Sequence, residues 1–279
     1  MSAVSGSATD AAAKGRIGQA FARLGANGSL TLVGWQTIGY PEIGATERLV
    51  PALLEGGFDL FELGVPFSDP MADGATIQRA SQAALDNGTT PQHCLAAVRT
   101  LRREGLEAPL LFMTYYNVVL AMGLDRFAGV AAEAGLDGLT VPDLPPEEAD
   151  ELLRVLEPAG IDPIFLVAPT STEARLRAVA ARARGFVYCV SLTGVTGARE
   201  SLSTTLPDYL ARVRAVTELP LAVGFGISRP EHVASLRGYA DGAIVGSEII
   251  NVMERNAPAQ HAGALRQFAG SLRVAAGAR

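Results

Sequence analysis

Three carboxylates, Glu62, Asp69 and Asp73, follow Asp59 closely in one stretch of the chain, Asp59–Gln78, DLFELGVPFSDPMADGATIQ. Glu62 stands in the apolar run Phe58–Leu63, short enough for a buried parallel strand. Leu60 and Phe58 are expected on its own face, Phe61 and Leu63 on the other. A carboxylate among apolar side chains is costly to ionise. Its pKa should therefore rise to where it can both give and take a proton. Asp69 and Asp73 follow in a loop that opens at Gly64 and turns at Ser68-Asp69-Pro70 and Asp73-Gly74. One buried carboxylate beside one on a polar loop is the pattern that separates two acid/base roles. The structural alternative has Glu62 ending a strand in a salt bridge, with the aspartates merely making turns.

A second kind of chemistry lies near the far end. Gly224-Phe225-Gly226-Ile227-Ser228 and Gly246-Ser247 each follow a strand-like run, and the latter opens a helix. Glycines there let backbone N–H groups approach an anion, a helix N-terminus adds its dipole, and Ser247 adds a hydroxyl, so a phosphate site is expected. The loop Leu192–Arg199, LTGVTGAR, is polar and has glycines at Gly194 and Gly197, as a closing lid requires; a plain surface loop is the alternative. Two absences narrow the chemistry. The only lysine is Lys14, ahead of the first strand, so no barrel strand carries a Schiff-base nucleophile. The histidines, His93, His232 and His261, fall in separate helix-like segments, so no metal cluster is expected.

The elements that must position these groups alternate. Strand-like segments at Ser29–Trp35, Phe58–Leu63, Pro109–Thr114, Gly138–Val141, Pro163–Val167, Phe186–Ser191, Leu221–Val223 and Ala243–Val245 are each followed by a helical pattern. Thr90-Pro91 reads as cap and first residue of a helix to Arg103, and Pro145–Leu156 as a single helix. Ser228 and Glu231 read as a capping box for Pro230–Tyr239. Eight such units without a linker imply an α/β fold, a single (β/α)8 TIM barrel, rather than a doubly wound sheet. An extra N-terminal helix, Lys14–Leu24, caps one end. The barrel domain is expected over 14–279, after a disordered leader over 1–13 without the marks of a signal peptide. Active sites of such barrels lie at the carboxyl ends of the strands, where Glu62, Tyr115, Asp143, Tyr188, Phe225 and Ser247 fall.

Composition excludes several classes. The net charge of -6 and the 6% aromatic content argue against a nucleic-acid platform and an anionic membrane surface. Cys94 and Cys189 stand far apart and suggest reduced, cytoplasmic thiols. No stretch is apolar and long enough to span a bilayer.

Taken together, FELGVPFSDPMADGATIQ, LTGVTGA, GFGIS and VGS resemble the tryptophan synthase alpha chain family, from about Arg16 to Leu272. The resemblance implies a lyase that cleaves indole-3-glycerol phosphate to indole and glyceraldehyde 3-phosphate. It implies Glu62 as general acid/base and Asp73 as the carboxylate at the indole N–H. It places Tyr115, Tyr188, Thr196 and Phe225 around the substrate, and Gly197, Gly226, Gly246 and Ser247 around its phosphate. It implies no cofactor or metal in this chain, and a pyridoxal-phosphate-bearing beta chain as partner in an alpha2beta2 heterotetramer. Tyr40 and Leu192 depart from residues common in the family, Asp and Arg respectively, and bear on the first and sixth loops. The alternatives are a stand-alone lyase releasing free indole, a non-catalytic phosphate-binding regulatory subunit, and a sugar-phosphate isomerase on the same barrel. Only the lyase readings, partnered or stand-alone, account for PFSDPMADG and both carboxylates together. That loop's apolar residues, Phe67 and Met71 among them, are expected to meet a partner; packing onto the barrel rim is the competing account.

Overall fold

The computed structural model describes residues 15–191, 205–224 and 226–277. The expected leader over 1–13 and Lys14 lie outside them. The expected barrel is present. β1 (Thr31–Thr37), β2 (Leu60–Gly64), β3 (Leu110–Met113), β4 (Gly138–Thr140), β5 (Asp162–Val167), β6 (Val187–Val190), β7 (Leu221–Gly224) and β8 (Gly242–Val245) form one closed parallel sheet. Each strand pairs with the next, and β1 closes the ring on β8 with Val33 opposite Ile244.

Alternation along each strand divides the core in two. Val33, Leu60, Leu111, Ile164, Tyr188, Ala222 and Ile244 fill the barrel lumen. Leu32, Phe61, Leu63, Leu110, Phe112, Val187 and Val223 point outward to the helices. The helix Arg16–Gly25 plugs the amino end of the lumen with Ile17, Ala20 and Phe21. Phe21 meets Phe186 with ring centroids 5.5 Å apart. A Cβ at Gly138 would stand 2.9 Å from Ile17 Cδ1 and from Leu111 Cγ, so a side chain at this strand start would make the plug and β3 give way.

A repeated electrostatic device closes the same end. Asp59, just ahead of β2, accepts from Leu32 N–H of β1 at 2.8 Å and pairs with Arg273. Asp137, ahead of β4, accepts from Leu110 N–H of β3 at 2.8 Å and pairs with Arg102 and Arg16. Asp241, ahead of β8, accepts from Leu221 N–H of β7 at 2.7 Å and pairs with Arg214. Each carboxylate thus satisfies an N–H at the start of the preceding strand, in its first or second residue, which has no ladder partner on that side. At the fourth such place, beneath β5 and β6, Pro163 and Gly185 stand instead. Proline has no N–H to satisfy, and no carboxylate is needed.

Several expectations are corrected. Phe58 lies ahead of β2 and packs outward on Phe61, centroids 6.2 Å apart, instead of sharing Glu62's face. Pro145–Leu156 is a 3-10 turn, Pro146–Glu148, followed by a helix Asp150–Ala159. Ser228 and Glu231 form no capping box. The helix is only Pro230–Ala234, with Arg229 at its N-cap, so Glu231 falls one position short of the place that reaches back. Ser228 N–H donates instead to His232 Nδ1 at 3.3 Å. A helix not anticipated, Tyr116–Met122, follows β3. At Thr90 the reading holds, since its hydroxyl accepts from His93 N–H.

Asp137→Ala removes the acceptor for Leu110 N–H and strands Arg102, which is largely buried. It is expected to destabilise the barrel by about 3–5 kcal/mol in urea unfolding. Glu42→Ala, which breaks the exposed pair with Arg48, should cost less than about 1 kcal/mol. Equal losses would show that the aspartate devices contribute no more than surface ion pairs.

Candidate active site

The lumen's inward-facing positions become polar at its carboxyl end. Glu62, the middle residue of β2, points inward and is 0% exposed. Its Oε1 accepts from the Thr140 hydroxyl of β4 at 2.6 Å. Its Oε2 has no partner among the described residues. Burial raises the Glu62 pKa to about 7; the Thr140 hydrogen bond lowers it and the Asp73 carboxylate raises it. Glu62 is in no salt bridge among the described residues, so the strand-ending ion pair weighed from sequence does not form.

Asp73 precedes the helix Ala75–Asp86. It was expected on a polar loop but is only 7% exposed. The reason is Tyr115, which folds the loop inward. The Tyr115 hydroxyl donates to Asp73 Oδ2 at 3.2 Å and accepts from Ala72 N–H at 2.9 Å, while its ring stacks on Phe67 at 5.0 Å. Phe67 N–H in turn donates to Ser81 Oγ at 3.1 Å. Burial pushes the Asp73 pKa up to about 6, against the lowering effect of Tyr115. The two carboxyls therefore differ by less than the contrast between core and loop implied. Phe67 packs on the rim, as the competing account had it, whereas Met71 is 85% exposed. Asp69 is exposed and takes a hydrogen bond from Ser68, in keeping with a turn residue.

Tyr188 of β6 is buried in the same chamber and lies within the fields of Glu62 and Asp73, which with burial drive its hydroxyl well above the ordinary tyrosine range. A Cβ at Gly224 of β7 would stand 2.4 Å from the Tyr188 hydroxyl oxygen, so glycine there makes room for the phenol. Trp35 of β1 forms the opposite wall and directs its Nε1–H to Met113 Sδ at 3.3 Å. Asp143 belongs elsewhere, because its carboxylate accepts from Tyr116 N–H and caps the helix Tyr116–Met122.

The glycine-bearing end lies beside this chamber. Gly226 takes φ 85°, a left-handed turn natural to glycine. Gly246 precedes the helix Ser247–Glu254, whose first turn has no side-chain cap, and Ser247 is exposed there. Thr196, Gly197 and Phe225, with the whole expected lid and Leu192, lie outside the described residues. Four site residues are thus brought together around one chamber: Glu62, Asp73, Tyr115 and Tyr188. Gly226, Gly246 and Ser247 sit at its rim. Sequence reasoning missed Thr140 and Trp35. The signal for Thr140 was its two-residue spacing from Gly138 on a strand end, which fixes an inward hydroxyl only once the register with β2 is known. Among the described residues no group of His, Cys, Asp and Glu is arranged to hold a metal ion. Both cysteines are free and buried.

The raised pKa of Glu62 links stability to pH with a definite sign. The unfolded carboxyl ionises near 4.5, the folded one near 7. Between these values only the unfolded state loses its proton, so the folded state is progressively disfavoured as pH rises, by up to about 3 kcal/mol, and no further above 7. Glutamine has no proton to lose. The gain in Tm of Glu62→Gln over the unsubstituted chain should widen from pH 4.5 to 7 and then level. A gap independent of pH would mean that Glu62 ionises normally.

Comparison with known proteins fits this geometry. A family model described as tryptophan synthase alpha chain matches residues 21–276. The tryptophan synthase alpha chain of Roseiflexus castenholzii is 52% identical over 258 residues, covering 92% of this chain and 99% of the relative. That of Geobacter sulfurreducens is 47% identical over 262 residues, 94% and 99%. Among solved structures, Mycobacterium tuberculosis tryptophan synthase superposes with TM-score 0.86 at 41% identity, covering 94% of this chain and 98% of that one. The alpha chain of Legionella pneumophila does so with TM-score 0.86 at 36% identity, 95% and 99%. This chain belongs to the tryptophan synthase alpha chain family.

Proposed function

We propose that Glu62 and Asp73 are the two groups with which this chain, a lyase of tryptophan biosynthesis, cleaves indole-3-glycerol phosphate to indole and glyceraldehyde 3-phosphate. The observation that carries the assignment is the pair of buried carboxyls in one chamber, both shifted toward neutrality. The bond between indole C3 and the glycerol chain breaks when C3 receives a proton. The hydroxyl on the adjacent carbon loses its proton as the aldehyde forms. Glu62, with a pKa of about 7, gives the first proton and takes the second. Asp73 accepts the indole N–H and stabilises the positive charge that develops on the protonated ring. Tyr115 holds Asp73 in place, and Tyr188 walls the chamber. Gly226, Gly246 and Ser247 receive the phosphate on backbone N–H groups, with Gly197 from the loop after β6 completing the cradle and Thr196 and Phe225 completing the substrate walls.

The partner is a beta chain that carries pyridoxal phosphate and consumes indole, in an alpha2beta2 assembly in the cytoplasm. This chain needs no cofactor of its own for the cleavage. Support for docking at the catalytic face comes from Ile43, Met71 and Leu120. They are 48%, 85% and 48% exposed and stand after β1, β2 and β3 in turn. Large apolar groups left in water around the chamber mouth suit a face that another protein covers. Among the described residues no helix is long and apolar enough to cross a membrane.

Glu62→Gln should keep the fold and lower kcat for indole release on the order of 10²–10⁴. Asp73→Asn should also be severely impaired, since an amide supplies no negative charge. Near-normal turnover of Glu62→Gln, with beta chain added, would remove Glu62 from the acid/base role. Met71→Asp should weaken activation by the beta chain while leaving indole release by the isolated chain close to normal. Equal effects with and without the partner would place Met71 outside the interface.

A further inference from the structure

A shuttle carboxyl must present the same oxygen to the substrate in each turnover. Most of what surrounds Glu62 cannot ensure this. Its own strand contributes Leu60, and β1 and β3 pair Trp35 and Leu111 with it. The Trp35 indole N–H is already committed to Met113 Sδ. The titratable groups that face Glu62 are Asp73 from the loop after β2 and Tyr188 from β6. An anionic carboxylate cannot donate to Glu62. Among the described residues, the donor to the Glu62 carboxyl is the Thr140 hydroxyl, at 2.6 Å, a length typical of an O–H donating to a carboxylate.

Thr140 is well fixed for that task. It is 0% exposed, it is β-branched and so restricted at χ1, and its carbonyl accepts from Thr114 N–H at 3.0 Å. Because Oε1 is occupied by this donor and Oε2 is not, the two oxygens are inequivalent before substrate arrives. We propose that Thr140 is the positioning residue of Glu62, holding Oε1 as a permanent acceptor so that Oε2 is the oxygen that carries the transferable proton. The inference rests on the acid/base reading of Glu62. Without the hydroxyl, both oxygens would stand in an apolar wall, free to exchange roles by rotation of the carboxyl and harder to ionise.

Thr140→Val keeps the shape and removes the donor; Thr140→Ser keeps the donor and loses a methyl group. In Thr140→Val, kcat for indole release should fall on the order of tenfold with KM little changed, as expected for loss of one hydrogen bond to a charged group. The limb of the pH profile governed by Glu62 should move to higher pH. The Glu62 carboxyl resonance, followed by carbon-13 NMR on labelled chain without substrate, should titrate at correspondingly higher pH. Thr140→Ser should restore both. Profiles and titrations of Thr140→Val that superimpose on those of the unsubstituted chain would overturn the proposal. So would equal changes in the valine and serine variants, since packing and not the hydroxyl would then be responsible. Glu62→Gln assayed alongside separates the two readings. If it is inactive while Thr140→Val is unchanged, only the role of Thr140 fails; if it is active, the acid/base assignment fails first.

Discussion

The cost of taking a carboxyl out of water governs this molecule. Glu62 sits in the lumen of a closed barrel with one hydrogen bond and no ion pair among the described residues. An ionised group would be strongly disfavoured there, so the side chain is shifted toward neutrality. That shift is possible only because the surrounding layer is rigid. Eight strands hold their registers all round the ring, and no strand edge remains through which water could relieve the burial. A looser barrel would admit solvent and return Glu62 to an ordinary acid.

The two ends of the barrel solve opposite electrostatic problems. At the amino end, Asp59, Asp137 and Asp241 are buried or half-buried, yet each is paired with arginine and accepts a backbone N–H. Those charges are compensated and structural. At the carboxyl end, Glu62 and Asp73 have, among the described residues, neutral hydroxyl donors, Thr140 and Tyr115. Neutral donors leave both pKa values near the pH of the cell, where proton transfer is efficient. Carboxylates are thus locked at one end and kept poised at the other, and among the described residues the difference lies in whether arginine pairs with them.

Asp73 illustrates how a loop acquires interior character. PFSDPMADG is fastened at Phe67 by Tyr115 and Ser81, and at Ala72 by the Tyr115 hydroxyl. The fastening buries Asp73 while leaving Met71 outside. A contact made at Met71 is therefore only two residues along the loop backbone from the Asp73 carboxyl. The exposed outer side of this loop and the placement of a charge on its inner side are joined by one short, well-anchored segment.

The barrel was legible in the sequence because its signals are local. Short apolar runs alternating with helical patterns specify a parallel sheet, and eight of them specify closure. Glu62 was legible because an acid inside such a run is costly wherever the strand is placed. Local patterns failed where spacing by a single residue mattered, as at the Ser228–Glu231 cap, or where flanking residues leave the strand, as at Phe58. The burial of Asp73 could not be read, because it depends on Tyr115, 42 residues away, reaching across from the end of β3. Thr140 could not be read for the same reason, since its hydroxyl finds Glu62 only through the pairing of β2 with β3 and β3 with β4. The sequence by itself determined which strands exist and that Glu62 would be buried, since periodicity and side-chain polarity are properties of neighbouring residues. Only the tertiary structure decided which hydroxyls meet those carboxyls, and hence their proton affinities, because hydrogen bonds across a barrel depend on register and closure, which no single segment encodes.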